Sequence, residues 1–124
     1  GPSAPLLVLV VPCYNEEDRL DADALVSFAS APSPLALGGR ELRRRLLLVD
    51  DGSTDSTLRA LEAVRAASPP GAVEVLALGR NRGKAEAVRR GLSAACASGA
   101  EVAGFWDADL AAPLSAVADF LGAP

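Results

Sequence analysis

The sequence predicts an α/β fold class, with a mainly parallel sheet between two layers of helix. Three observations carry this expectation. Short apolar runs alternate with amphipathic stretches along nearly the whole chain. The apolar runs are continuous, as in strands covered on both faces, and lack the in–out alternation of a half-solvated sheet. Each run ends in a polar cluster, and the opposite ends carry no comparable set.

The elements follow in order. Leu6-Leu7-Val8-Leu9-Val10-Val11 reads as a first strand stopped by Pro12. Asp21 to Ser30 reads as a short helix with Asp18 or Asp21 as its cap. Ala31 to Gly39, with Pro32, Pro34, Gly38 and Gly39, reads as a loop. Arg43-Arg44-Arg45 reads as a solvated approach to a second strand, Leu46–Val49, which ends at Asp50-Asp51-Gly52. Thr54 or Asp55 caps a helix running to Ala67, with Leu58, Ala60, Leu61 and Val64 at helical spacing. Val73–Leu78 is the third strand. Asn81 to Gly83 turns into a helix over Lys84 to Ala97, with Ala87, Val88, Leu92 and Ala95 inward. Val102–Trp106 is the fourth strand, followed by Asp107-Ala108-Asp109 and a last helix from Pro113 to Leu121.

With 124 residues the chain suits one domain spanning 1–124. Hydrophobic residues make up 50% and aromatics 4%, so the core must come from Leu, Val and Ala. A net charge of −4 argues against a nucleic-acid partner, which needs a basic face. Histidine is absent, which excludes histidine catalysis and histidine–metal sites within the chain. Any metal would take oxygen ligands, which points to Mg2+ or Mn2+. Cys13 and Cys96 lack metal-site spacing and read as free thiols of a reducing compartment. No apolar run approaches the ~20 residues of a membrane span. A start at Gly1-Pro2-Ser3 without any methionine is expected of a processed piece, a tagged chain or a fragment.

In open parallel sheets, ligands bind beyond the carboxyl ends of the strands, at a switch in strand order. Four polar clusters fall there. Asp107-Ala108-Asp109 sets two carboxylates on one side of an extended segment, where they can share a divalent cation that neutralises a diphosphate. Alone, Asp109 could equally cap the last helix. Asp50-Asp51-Gly52-Ser53-Thr54-Asp55 offers acceptors for a base N–H or a ribose hydroxyl beside a glycine that permits close approach. Asn81-Arg82-Gly83-Lys84 puts cations at a helix start, a position that suits phosphate. Pro12-Cys13-Tyr14-Asn15-Glu16-Glu17 stands where a dinucleotide fold would carry its glycine-rich turn; neither GxGxxG nor a P-loop occurs. Paired aspartates after the second strand, rather than the first, disfavour a receiver-like signalling domain.

These segments resemble, in order, the motifs of family 2 glycosyltransferases with the GT-A fold, along nearly the whole chain. The Asp-Ala-Asp-Leu form and the Asn-Xaa-Gly-Lys loop are most similar to the dolichyl-phosphate mannose or glucose synthase-like branch. The resemblance implies a Rossmann-like sheet in the order 3-2-1-4. It implies that Pro12, Tyr14 and Glu16 line a nucleoside pocket. Asp51 would bind base or ribose with Asp50 supporting it, and Lys84, with Arg82, would meet the base or diphosphate. Asp107 would reach ribose or sugar and share a Mg2+ or Mn2+ ion with Asp109. The implied donor is a UDP- or GDP-linked sugar, and the implied acceptor a polyprenyl phosphate or a glycan. The implied location is cytoplasmic, or the cytoplasmic face of a membrane reached through parts outside this chain.

The sequence departs from the family in two ways. Members continue well past the Asp-Xaa-Asp loop into an acceptor half, so the general base is expected beyond Pro124. Ala85 also stands where many members have glycine. Two readings remain for the chain as it stands: the donor site of a glycosyltransferase, or a nucleotide-sugar-binding module without turnover.

Overall fold

A computed structural model of the protein describes residues 5–30, 35–37 and 40–107. The elements are β1 (Leu6–Cys13), α1 (Ala22–Ser30), β2 (Leu35–Leu37), β3 (Arg40–Asp50), α2 (Thr57–Ala67), β4 (Val73–Ala77), α3 (Lys84–Ala97) and β5 (Val102–Phe105). The helix expected at Pro113–Leu121 lies outside the described residues.

The parallel strands lie in the order β4-β3-β1-β5. Counted in the four strands read from sequence, that is the expected 3-2-1-4. The chain moves outward from β1 to β3 to β4, then crosses back under α3 to β5 on the far side of β1. The switch point therefore lies between β1 and β5.

β1 is buried at every position because helices cover both faces. Leu7, Leu9, Val11 and Cys13 pack with Leu46 and Leu48 against Leu25 and Phe28 of α1 and Leu61 and Val64 of α2. Leu6, Val8 and Val10 pack with Leu47 and Val49 against Ala87 and Ala95 of α3. Each fully buried Val or Leu contributes roughly 1.5–3 kcal/mol. α3 comes unusually close to the sheet. A Cβ on Gly91 would lie 2.4 Å from Val10 Cγ1 and 3.1 Å from Val49 Cγ2, so only glycine fits at that crossing.

Several sequence expectations need correcting. Pro12 does not stop the first strand, which continues to Cys13. Pairing with β5 ends at Val10–Phe105, and Val10 O accepts the last bond on that side, from Trp106 N. Pro12 shares the orientation of Val10, so its missing N–H falls where no partner strand asks for it.

The expected 31–39 loop contains β2, which pairs antiparallel with Arg40–Leu42. β3 starts six residues earlier than expected, and the three arginines belong to it, opposite Leu6, Leu7 and Val8. Arg44 lies over the Phe28 ring at 5.0 Å and donates to Phe28 O at 3.3 Å. Arg45 pairs with Glu74 at 3.3 Å and donates to Gly71 O at 3.2 Å. The apolar stems lie along the sheet while the guanidinium groups find partners.

The caps resolve the alternatives left by sequence. Asp21 Oδ1 accepts Ala24 N–H at 3.0 Å and caps α1. The N-cap of α2 is Ser56, without a side-chain cap bond, rather than the expected Thr54 or Asp55; Asp55 Oδ1 accepts Thr57 N–H at 2.9 Å just ahead of the helix. Its bond from the Thr57 hydroxyl holds the Asp55 carboxyl below its ordinary range.

Candidate functional site

Register sets the site. Cys13 lies opposite Asp50, Asp50 opposite Ala77, and Val10 opposite Phe105. The loops leaving β1, β3, β4 and β5 thus emerge along one sheet edge. They enclose a cavity of about 310 Å³, at the lower end of the roughly 300–1,000 Å³ range of small-molecule sites. Pro12, Cys13, Tyr14 and Glu16 line it from β1 and the turn after it, and Asp51 from the end of β3. Asn81, Gly83 and Lys84 line it from the β4–α3 turn, and Asp107 from the residues after β5.

The β1–α1 turn is stitched to the β3–α2 turn. Asn15 takes φ +50°, a conformation asparagine tolerates better than most residues. There its N–H donates to Ser53 Oγ at 3.0 Å, and its Oδ1 accepts Thr54 N–H at 2.9 Å. Glu16 N–H donates to Thr57 Oγ1 at 2.8 Å. Tyr14 follows β1 directly and stays 41% exposed, an aromatic face at the cavity wall.

Asp51 ties the third loop to the second. Alternation along β3 sends Asp50 to the α1/α2 side and Asp51 to the α3 side. Asp51 Oδ1 accepts Arg82 N–H at 2.8 Å, and Oδ2 accepts Gly83 N–H and Asn81 Nδ2 at 3.1 Å each. Only 3% exposed, it is a buried carboxylate compensated by three donors. Gly52 makes this possible: its φ is +69°, and a Cβ there would sit 2.1 Å from the Arg80 carbonyl carbon.

The loop so held presents the start of α3. Gly83 is its N-cap at φ +95° without a side-chain cap, and Lys84 is its first residue. A helix start carries unsatisfied N–H groups and the positive end of the dipole. Lys84 Nζ pairs with Asp107 Oδ1 across the cavity and lies 5.9 Å from the Phe105 ring centre. Phe105 is itself 49% exposed.

Of the residues expected from sequence, Pro12, Tyr14, Glu16, Asp51, Lys84 and Asp107 come together at this cavity. Asp50 is not on its wall; it is buried on the opposite side of β3, with Oδ1 lacking a hydrogen-bond partner. Arg82 enters the site through its backbone N–H to Asp51, and its side chain does not line the cavity. Asp109 lies outside the described residues. Sequence reading missed Cys13, Asn81 and Gly83 as wall residues. Their place in the quoted motifs was the available signal. Cys13 is buried, and desolvation, then Glu16 and Asp50, push its thiol up to about 12. It is a neutral wall rather than a thiolate nucleophile.

Among the described residues no group of three Cys, Asp or Glu side chains gathers as a ready-made metal cage. A hard cation does not need one, because Mg2+ and Mn2+ bind through one or two carboxylates, with water and phosphate oxygens completing the shell. Asp107, about half exposed at the cavity, is a donor of this type. Asp107 is thus one oxygen donor suited to such an ion, with its Oδ1 held by Lys84.

The sequence model of Glycosyl transferase family 2 matches residues 8–123. The chain belongs to that family. This family 2 chain is 34% identical over 88 residues to a dolichyl-phosphate beta-glucosyltransferase of Dictyostelium discoideum, covering 69% of itself and 26% of that protein. It is 36% identical over 97 residues to one of Drosophila melanogaster, covering 77% of itself and 28% of that protein. These relatives support the dolichyl-phosphate sugar synthase-like branch. The chain spans about a quarter of their length.

Among solved structures, it is similar to S. aureus TarS 1-349 in complex with UDP. The TM-score is 0.58 and the identity 25%, over 83% of this chain and 27% of that one. It is also similar in fold to mannosyltransferase PcManGT from Pyrobaculum calidifontis in complex with GDP-Man and Mn2+. There the TM-score is 0.69 and the identity 23%, over 98% of this chain and 34% of that one. The family 2 chain thus has the GT-A type of fold.

Proposed function

We propose that this chain forms the donor site of a glycosyltransferase, taking the nucleoside diphosphate of a UDP- or GDP-linked sugar. One observation carries the reading: Lys84, at the start of α3, faces Asp107 across a cavity built from all four parallel strand ends. A helix start with a lysine suits a diphosphate. A carboxylate opposite suits the divalent cation that accompanies one.

In this reading Tyr14 and Pro12 form the apolar wall for the base, and Glu16 completes it. Asp51 supports the base or ribose and keeps the Asn81–Gly83 loop in place. Asp107 and Asp109 would hold Mg2+ or Mn2+, which supplies charge neutralisation of the leaving diphosphate. Lys84 stabilises the same developing charge. The acceptor hydroxyl, or the phosphate of a polyprenyl phosphate as the relatives' names suggest, attacks the anomeric carbon. A base outside this chain assists where a hydroxyl attacks. Among the described residues no helix is long and apolar enough to cross a membrane.

A second reading, nucleotide-sugar binding without turnover by these residues alone, has its own support. Two of the described carboxylates on the wall are already engaged, Asp51 by three N–H donors and Asp107 by Lys84; Glu16 pairs with Arg19 at 3.3 Å, and its buried Oε2 accepts no hydrogen bond. Asp51 and Asp107, so held, are not placed as general bases. A transferase assay on residues 1–124 separates the readings, since turnover would require a base among them.

The donor-site reading is tested by calorimetric titration of UDP- and GDP-sugars with Mn2+ against wild type, Lys84→Gln and Asp109→Asn. Both variants are expected to bind at least about tenfold more weakly. Equal binding by Asp109→Asn would remove the metal assignment, and equal binding by Lys84→Gln would remove the diphosphate assignment.

A further inference from the structure

We infer that Lys84 and Asp107 form a latch that a divalent cation releases, so that metal and diphosphate affinities are linked through one ion pair. The inference rests on the donor-site reading and adds its regulation. Among the described residues that line the cavity, Lys84 is the one cation. Its ammonium is already bonded to Asp107 Oδ1, with the Phe105 ring on the same side. A diphosphate entering without metal therefore meets a lysine turned toward β5 and the negative charge of Asp107.

The same carboxylate is the described donor for the cation. Lys84 holds Oδ1 alone, and a divalent ion at Asp107 withdraws the carboxylate's negative charge and repels the ammonium, so Asp107 satisfies either partner more fully than both at once. When Asp107 turns to a metal, Lys84 loses its partner and becomes available to the phosphate oxygens. Each ligand thereby prepares the site for the other, and linkage makes the effect reciprocal. The side chains of Lys84 and Asp107 are 61% and 51% exposed, so the latch is weak and readily displaced.

This gives an expectation opposite in sign to that for an ordinary ligand residue: removing Asp107's charge should strengthen diphosphate binding in the absence of metal. The probe is inorganic pyrophosphate in EDTA, which has no ribose or sugar for Asp107 to contact. Its binding is followed by the amide shifts of Gly83 and residue 84 in wild type, Asp107→Asn, Lys84→Gln and the double variant. Asp107→Asn should bind about three- to fivefold tighter than wild type, the size an exposed ion pair supports. In the Lys84→Gln background the same substitution should change affinity less than about twofold. Both sites are exposed, and unchanged melting curves confirm that the variants fold.

No tightening in Asp107→Asn, or no pyrophosphate binding by it, overturns the latch. Equal tightening in the Lys84→Gln background also overturns it, since that is plain charge repulsion. Wild type is titrated in parallel with UDP- and GDP-sugars in Mn2+. Absence of binding there defeats the donor-site reading itself, whereas binding there without tightening in Asp107→Asn defeats the latch alone.

Discussion

A Cβ on Gly52 would lie 2.2 Å from the backbone nitrogen of Asn81, so the β3–α2 turn and the β4–α3 turn meet backbone to backbone. Gly52→Ala must both adopt φ +69° and push the Arg80–Asn81 peptide away. The expected loss is about 2–5 kcal/mol, combining left-handed strain with overpacking. Gly71→Ala, at φ +78° with nothing within 4 Å, should lose only the strain, about 1–2 kcal/mol. Urea denaturation of the two variants checks the difference, and equal losses would contradict the close contact.

Asp51→Ala leaves the Arg82 and Gly83 N–H groups without their acceptor and the Asn81 amide with only the residue-51 carbonyl, at 3.3 Å. Losing hydrogen bonds to a buried charge should cost about 2–4 kcal/mol and loosen the presentation of Lys84. Chemical denaturation reads the first effect. Faster hydrogen exchange at Arg82 and Gly83, with α1 unchanged, reads the second.

Gly91→Ala trades about 1 kcal/mol of helix propensity against a clash with Val10 and Val49 worth about 1–3 kcal/mol. Net destabilisation is expected. Combining it with Val10→Ala, which removes the nearest methyl groups, should cost less than the sum of the single losses. Strict additivity in a double-mutant cycle would show that α3 does not press on β1 there.

The Cys13 thiol, raised from 9.0 to about 12 by burial, stays protonated through neutral pH, while Cys96 is exposed. Iodoacetamide at pH 8 should therefore label Cys96 first, as read by peptide mass spectrometry. The sign for stability follows from the same shift. The contribution is fully present below pH 9, where the thiol is protonated both folded and unfolded. It is lost as pH rises from about 9 to 12, because the unfolded chain ionises first. Cys13→Ser should flatten that part of the stability–pH curve.

The sequence was most informative where one cause decided the structure. α3 was legible at both ends, because the turn at Gly83 opens it and the inward Ala87, Leu92 and Ala95 mark its face. The strand order needed the family resemblance, since periodicity does not say which strands are neighbours. β2 was hidden because it is three residues long among prolines and glycines. The arginines of β3 read as solvated because charge masks a strand whose guanidinium groups reach Phe28 O and Glu74. In the site, motif residues were visible but their division of labour was not. Whether Asp50 or Asp51 faces the cavity depends on strand parity and register. The three donors on Asp51 come from residues thirty or more positions away in sequence.

The central claim is that the four strand-end loops bind one nucleoside-diphosphate sugar. Amide chemical-shift mapping with UDP- and GDP-sugars in Mg2+ tests it most directly. The expected result is saturable shifts at Tyr14, Glu16, Asp51, Gly83, Lys84 and Asp107, with the outward faces of α1 and α2 silent. Shifts confined to those outward faces, or none with either nucleotide at millimolar concentration, would contradict it.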